Sequence, residues 1–330
     1  MTLTESYEKI KPTIVAFVPR FMPSYYPNKP VSEFPPIFGT GFIIDDGIVV
    51  TNDHVVNVIP KLPKPPDCPP DVWPVNCLLW HYIREKGMAT ISLDVLGVLR
   101  ISRIETGETY YGPPKPDVAF VHVKMKELPK AIVKYNLKEI QEGQEVATAG
   151  FPMGTETLTA PGYLHQLTPT LQKGVISAVL PFQCDTPHAI MINVMVQGGA
   201  SGSPVFLPET GDVIGILYAG LEEKRQTKSG LPDNIRKDVE KFEPSIHSHV
   251  FTAPTNISYV VPAHYIEKIL QQIKDDPNIK FPDNTLTLEE YINKGGQIVR
   301  KRGEVPPIKI WQGAETTKRM IEKQKLNHEV

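Results

Sequence analysis

Ser201 stands at the centre of residues 196–206, which read Val-Gln-Gly-Gly-Ala-Ser-Gly-Ser-Pro-Val-Phe between two apolar runs. Gly198, Gly199 and Gly202 carry no Cβ, so this backbone can bend sharply and approach a bound molecule closely. A turn of that kind can aim the amides of Gly199 and Ser201 at one oxygen, the arrangement that stabilises a tetrahedral oxyanion. Taken alone, the stretch reads equally well as an ordinary hairpin turn. Two further residues bear on the choice. His54 lies just past an apolar run, and Asp117 directly precedes an alternating one. Singly, each is open to a structural reading: a histidine at a strand end, an aspartate closing a turn.

Together the three types make one chemistry. A serine hydroxyl is a weak nucleophile at neutral pH, and a neutral imidazole within reach can take its proton. A carboxylate behind the imidazole fixes its tautomer and steadies the imidazolium that forms. The chain order His54, Asp117, Ser201 separates this arrangement from folds that use the same groups in another order.

The elements that must hold these residues read as strands. Residues 13–18 form one strand, and Asp46-Gly47 between β-branched runs marks a hairpin ahead of His54. Residues 93–104 read as a strand pair. Later strands cover residues 146–152, 174–180, 188–196, 212–220 and 257–261. So many short strands separated by turns predict antiparallel barrels or a sandwich. A helix before Pro12 packs Tyr7 and Ile10 along one side. A second is predicted from Tyr265, Ile266, Ile269, Leu270 and Ile273, with Pro262 in its first turn. Residues 221–256 read as a long polar loop, of the kind that is functional or disordered.

Composition excludes several classes. The 330 residues are 41% hydrophobic and 22% charged with a formal net charge of -2, which predicts a globular protein drawn neither to nucleic acid nor to a membrane. Residues 1–11 are polar and show no signal-peptide pattern. The cysteines, Cys68, Cys77 and Cys184, are too few for a disulfide framework. A reducing cytoplasm is therefore the expected location. Neither these cysteines nor His247 and His249 complete a metal-ligand set, so no metal is expected.

With these residues in view, the chain resembles the trypsin-like (chymotrypsin-fold) serine proteases, closest to the Deg/HtrA group. The segments that carry the resemblance are Gly39-Thr40-Gly41-Phe42, Thr51-Asn52-Asp53-His54-Val55-Val56, Asp117-Val118-Ala119, Gly150-Phe151-Pro152, Gly174-Val175-Ile176-Ser177, Gly199-Ala200-Ser201-Gly202 and Gly215-Ile216. They fall in the family's order over about residues 12–274. The resemblance implies a mainly β fold of two antiparallel six-stranded barrels. Residues 1–137 would carry the first, with His54 and Asp117. Residues 138–274 would carry the second, with Ser201 and a closing helix. It also implies that His54 is the general base, Asp117 its orienter and Ser201 the nucleophile. The Gly199 and Ser201 amides would form the oxyanion hole. The substrate would be a protein or peptide, with no cofactor.

By the same resemblance, Leu217, Tyr218, Ala219 and Gly220 would pair with an extended peptide. Met195, Ser258 and Tyr259 would wall the specificity pocket. No acidic residue stands at its base, which predicts an apolar or small side chain before the cleaved bond. Two departures stand out: Ser203 replaces the second glycine after the nucleophile, and Asn193 stands where Deg proteins often carry aspartate.

Residues 275–330 are too few for the PDZ module common in Deg proteins. Two short helices are expected there, at 286–292 and 315–326, and Arg300-Lys301-Arg302 reads as solvated surface. That tail would pack on the barrels, cover the cleft or bind a regulatory partner. A different functional class therefore stays open: a latent or inactive binding module on the same scaffold, governed by residues 221–256 or the tail. An esterase or cysteine hydrolase is disfavoured, because Cys184 lacks a glycine-rich turn and the order Ser, Asp, His is absent.

Overall fold

The computed structural model describes residues 1–20, 36–66, 68–83, 87–100, 116–157, 168–228, 248–276, 286–293 and 298–301. Helix α1 (Leu3–Ile10) opens the chain with a capping box, in which Thr2 and Glu5 satisfy each other's backbone amides. A single 3-10 turn holding Pro12 then leads into β1 (Ile14–Pro19).

Strand β1 is apolar at every position from Ile14 to Val18 because both of its faces are covered. Val15 and Phe17 point into one barrel, while Ile14, Ala16 and Val18 join a cluster shared with the other. The same division runs through β2 (Gly39–Asp45), β3 (Ile48–Thr51) and β6 (Ala119–Val123). In them Ile43, Val49 and Val121 fill the barrel, whereas Phe42, Val50 and Phe120 pack between the two. A run buried on both faces loses the polar half of a strand's alternation.

The first barrel is completed by β4 (Val75–Ile83) and β5 (Gly87–Arg100), in the order β5-β4-β1-β2-β3-β6 with β5 also paired to β6. Of the predicted strand pair at residues 93–104, residues 93–100 are instead the second part of the single strand β5, and residues 101–104 lie outside the described residues. This strand pairs with β4 up to Asp94 and with β6 from Val95, through an irregularity at Val95/Gly97. A bulge lets one strand change partners while the barrel closes.

The second barrel is closed by β8 (Glu145–Gly150), β9 (Thr170–Leu180), β10 (Ala189–Ile192), β11 (Pro204–Phe206), β12 (Val213–Lys228) and β13 (Ser248–Pro262). The mainly β fold of two six-stranded barrels is therefore the one expected. The predicted loop at 221–256 is partly strand, since residues 222–228 pair with 248–254 as a continuation of β12 and β13.

Helix α3 (His264–Asp275) buries Tyr265, Ile266, Ile269 and Ile273 in the shared cluster. Pro262 ends β13 rather than entering the helix, whose cap is Ala263. Lys274 reaches Asp45 of the first barrel at 3.1 Å, and Lys130 lies 2.8 Å from Asp46 beside it.

The described parts of the tail pack on the first barrel. β14 (Leu286–Thr287) runs parallel to β7 (Met125–Lys126), α4 (Leu288–Asn293) follows, and β15 (Ile298–Lys301) pairs with β5. Arg300 and Lys301 are thus strand residues opposite Thr90 and Ala89. Arg302 and the predicted helix at 315–326 lie outside the described residues.

Candidate active site

His54 is held by a one-turn helix, α2 (Asp53–Val56), that follows β3 directly. Val55 and Val56 are each 1% exposed and anchor the turn in the first barrel. Asp53 is buried and paired bidentately with Arg100, Nε to Oδ1 at 2.6 Å and Nη2 to Oδ2 at 3.0 Å. That carboxylate raises the Arg100 guanidinium pKa above its ordinary value. With its neighbours fixed inwards, the His54 ring stands half exposed.

Asp117 sits where the chain enters β6 and meets His54 twice. Its Oδ2 lies 2.6 Å from Nδ1, and its Oδ1 accepts the His54 backbone N–H at 3.0 Å. Asn52 Nδ2 donates to the Asp117 carbonyl at 2.8 Å, tying the two segments together. An ionised carboxylate only accepts, so the shared proton belongs to Nδ1. In the neutral ring this leaves the Nε2 lone pair to take a proton.

Ser201 reaches this neighbourhood through two threonines. The Thr40 amide donates to the Ser201 carbonyl at 2.8 Å, and Thr51 Oγ1, at the end of β3, donates to the Thr40 carbonyl at 2.6 Å. Gly202 between them has φ +90, and a Cβ there would lie 1.8 Å from the Thr40 carbonyl oxygen, so only glycine fits. Among the described residues no hydrogen bond joins Ser201 to His54.

The carbonyls from Gly198 to Ser201 are all engaged. Gly198 O accepts from Met153 N–H at 2.7 Å, and Gly199 O from Thr40 Oγ1 at 2.7 Å. Ala200 O accepts from Ser203 N–H at 3.1 Å and Ser203 Oγ at 2.5 Å. The amides of Ala200 and Gly202 donate to Gln197 and Leu217. Those of Gly199 and Ser201 have no acceptor among the described residues. Met153 delivers its N–H from φ 61, a conformation costing a non-glycine residue about 1–2 kcal/mol.

The expected substrate-binding residues divide into two sets. Tyr218, Ala219 and Tyr259 are half-buried and Gly220 is exposed, with the Tyr218 and Tyr259 rings 5.9 Å apart. Met195 is 38% exposed. Leu217 and Ser258, by contrast, are buried in the second barrel. The Leu217 N–H donates to the Ser203 carbonyl at 3.0 Å, and its own carbonyl accepts the Gly202 N–H at 2.8 Å. Ser258 donates its hydroxyl to the Val194 carbonyl. An irregularity between Leu217 and Ala219 moves the strand out of simple alternation. His247 lies outside the described residues.

Nothing in the sequence marks Arg100 or Met153, and Thr40 stands there only as a member of the Gly39-Thr40-Gly41-Phe42 segment. Ser203 carries a signal of its own, as a departure from the family's glycine. Burial raises the Cys77 thiol pKa well above its usual value, which keeps it protonated and poorly nucleophilic.

A family model described as trypsin-like peptidase domain matches residues 39–216. Among solved structures, the HtrA-type protease AlgW with tripeptide is 15% identical with a TM-score of 0.47, over 83% of this chain and 64% of that one. Deg5 is 19% identical with a TM-score of 0.41, over 66% of this chain and 83% of that one. The chain thus spans 64% of the length of the AlgW structure. No curated protein matches it.

Proposed function

The chain belongs to the trypsin-like peptidase family, and from that premise we propose that it is a serine endopeptidase working through an acyl-enzyme. Ser201 Oγ attacks the peptide carbonyl and gives its proton to His54 Nε2. His54 passes the proton to the leaving amine, whose C–N bond breaks. Water, deprotonated by His54, then hydrolyses the ester. Asp117 holds the ring in the accepting tautomer throughout. The amides of Gly199 and Ser201 receive the negative charge that develops on the carbonyl oxygen.

The observation that carries this reading is the doubly held His54–Asp117 pair, in a chain whose Gly199 and Ser201 amides have no acceptor among the described residues. The substrate is an extended segment of protein or peptide lying against Tyr218, Ala219 and Gly220. Met195 and Tyr259 favour an apolar or small side chain before the cleaved bond. A cytoplasmic setting is part of the proposal, supported by three unpaired cysteine thiols.

The test is cleavage of a peptide library by purified protein and by Ser201→Ala, with fluorophosphonate labelling of both. The wild type should cleave and label. Loss of the nucleophile should cost several orders of magnitude in kcat and abolish labelling. Equal cleavage by both forms overturns the reading.

A second reading, a latent enzyme or binding module, is favoured by one observation: Ser201 is not hydrogen-bonded to His54. It predicts labelling only after the tail is removed or a partner is added.

A further inference from the structure

The oxyanion site is the part of this machinery most easily lost, because it consists of two backbone amides on a glycine-rich turn. A trans peptide is planar, with its N–H opposite its C=O, so an amide points away from whatever holds the carbonyl of the same peptide. The direction of the Ser201 amide is therefore set at the Ala200 carbonyl. That of the Gly199 amide is set at the Gly198 carbonyl and at the Gly199–Ala200 peptide next to it.

Two buried hydroxyls act at these points, and no sequence motif assigns either a role. Ser203 is 1% exposed and donates Oγ–H to the Ala200 carbonyl at 2.5 Å, adding to its own backbone N–H at 3.1 Å. Thr40, fully buried on β2 of the other barrel, donates Oγ–H to the Gly199 carbonyl at 2.7 Å. Its rotor is fixed because Oγ1 also accepts the Phe151 N–H at 3.2 Å, which leaves the hydroxyl proton to Gly199. Turning over the Gly199–Ala200 peptide would break the Thr40 bond and the bond from the Ala200 amide to Gln197. Turning over the Ala200–Ser201 peptide would strip a buried carbonyl of both its donors.

We infer that Thr40 and Ser203 are positioning residues for the oxyanion site, two hydroxyl clamps that hold the Gly199–Ser201 turn with its amides outward. Thr40 works across the junction of the barrels and Ser203 from within the second. The inference rests on the proposed protease reading, and it adds residues that touch neither substrate nor the reacting atoms.

The experiment uses the full chain and two probes that acylate or phosphonylate a serine without needing the natural substrate: p-nitrophenyl acetate and a fluorophosphonate. Thr40→Val and Ser203→Ala remove a hydroxyl with little change of volume, and Thr40→Ser keeps it. Removing an oxyanion donor outright costs about 10²–10³ in rate, so loosening one should cost at least about tenfold. The expected result is a fall of that size in the acylation and phosphonylation rates of Thr40→Val and Ser203→Ala. Apparent binding of the ester should stay within about twofold, and Thr40→Ser should recover most of the rate. Melting temperatures taken alongside identify any variant that fails to fold, and the other clamp then carries the test. Folded Thr40→Val or Ser203→Ala reacting at the wild-type rate overturns the inference. So does Thr40→Ser as slow as Thr40→Val, which would point to packing. A wild type inert to the fluorophosphonate overturns the protease reading and the inference with it.

Discussion

Asp117 grips His54 by ring and backbone at once, with Oδ2 2.6 Å from Nδ1 and Oδ1 accepting the residue's own amide at 3.0 Å. The carboxylate thus sets the ring's proton and also fixes the main chain from which the ring hangs. Asp117→Asn separates these roles. The amide oxygen can still accept the His54 N–H, but an NH2 facing Nδ1 forces the ring proton to Nε2 and removes the accepting lone pair. The expected outcome is a fall in kcat of about 10³–10⁴, with KM within a few fold and an unchanged melting temperature. Steady-state kinetics with thermal melts decide it; a loss below tenfold speaks against the orienting role.

Arg100 supports the same histidine from the other side of its turn. It fastens the buried Asp53, the residue just before His54, through two charge-assisted bonds. Hydrogen bonds to charged groups contribute about 1.5–3 kcal/mol, and the guanidinium is partly exposed, which lowers that figure. Arg100→Ala should destabilise the protein by about 1–2 kcal/mol and lower kcat more than it raises KM. Denaturant unfolding in a double-mutant cycle with Asp53→Asn measures the coupling. Strict additivity of the two changes would show that the pair does not act as a unit.

The residues of the proposed chemistry were legible because each stands at the end of an apolar run, and such runs survive whatever the tertiary detail. His54 follows Ile48–Thr51, Asp117 precedes Ala119–Val123, and Ser201 lies ahead of Pro204–Phe206. What stayed hidden depends on contacts between distant segments. Thr40 and Gly199 are 159 positions apart, and only the docking of the two barrels brings them together. The strands beyond Leu221 look like polar loop because their two arms pair with one another, a relation composition does not carry. The irregularities at Leu217/Ala219 and Gly220/Glu222 interrupt the two-residue period of β12, and nothing in the residue pattern marks them.

His264 makes a pH dependence of stability that has nothing to do with catalysis. It is 5% exposed, its Nδ1 has no partner among the described residues, and its ring centroid lies 4.2 Å from that of Tyr265. Burial lowers its pKa to about 4, with Lys268 and His188 adding smaller repulsions. The unfolded chain, with an ordinary value near 6.5, takes up the proton first as pH falls. Stability from this group is therefore complete above about pH 6.5 and is lost progressively down to about pH 4. The total is on the order of 3 kcal/mol. His264→Phe keeps a ring beside Tyr265 and removes the titration. Its melting temperature should fall less than that of the wild type between pH 7 and pH 4.5, and parallel curves would refute the assignment.

Gly150 and Ser203 share one space, and this gives the most specific structural prediction. A Cβ added at Gly150 would lie 1.9 Å from Ser203 Oγ and 3.0 Å from Thr40 Oγ1. No rotamer change relieves the first contact without breaking the Ser203 bond to the Ala200 carbonyl. Gly150→Ala should therefore destabilise the protein by about 1–3 kcal/mol, the usual cost of overpacking, and slow the acylation of Ser201 as well. Ser203→Gly on its own frees the space but gives up the clamp, so it should slow acylation with a smaller loss of stability. In the double variant Gly150→Ala/Ser203→Gly the methyl occupies the volume the hydroxymethyl left. Its stability should return to that of Ser203→Gly while the rate stays low, because packing is restored and the hydrogen bond is not. Unfolding and acylation measured on all four proteins separate the two effects. If the double variant is less stable than Gly150→Ala alone, the two residues do not share this space.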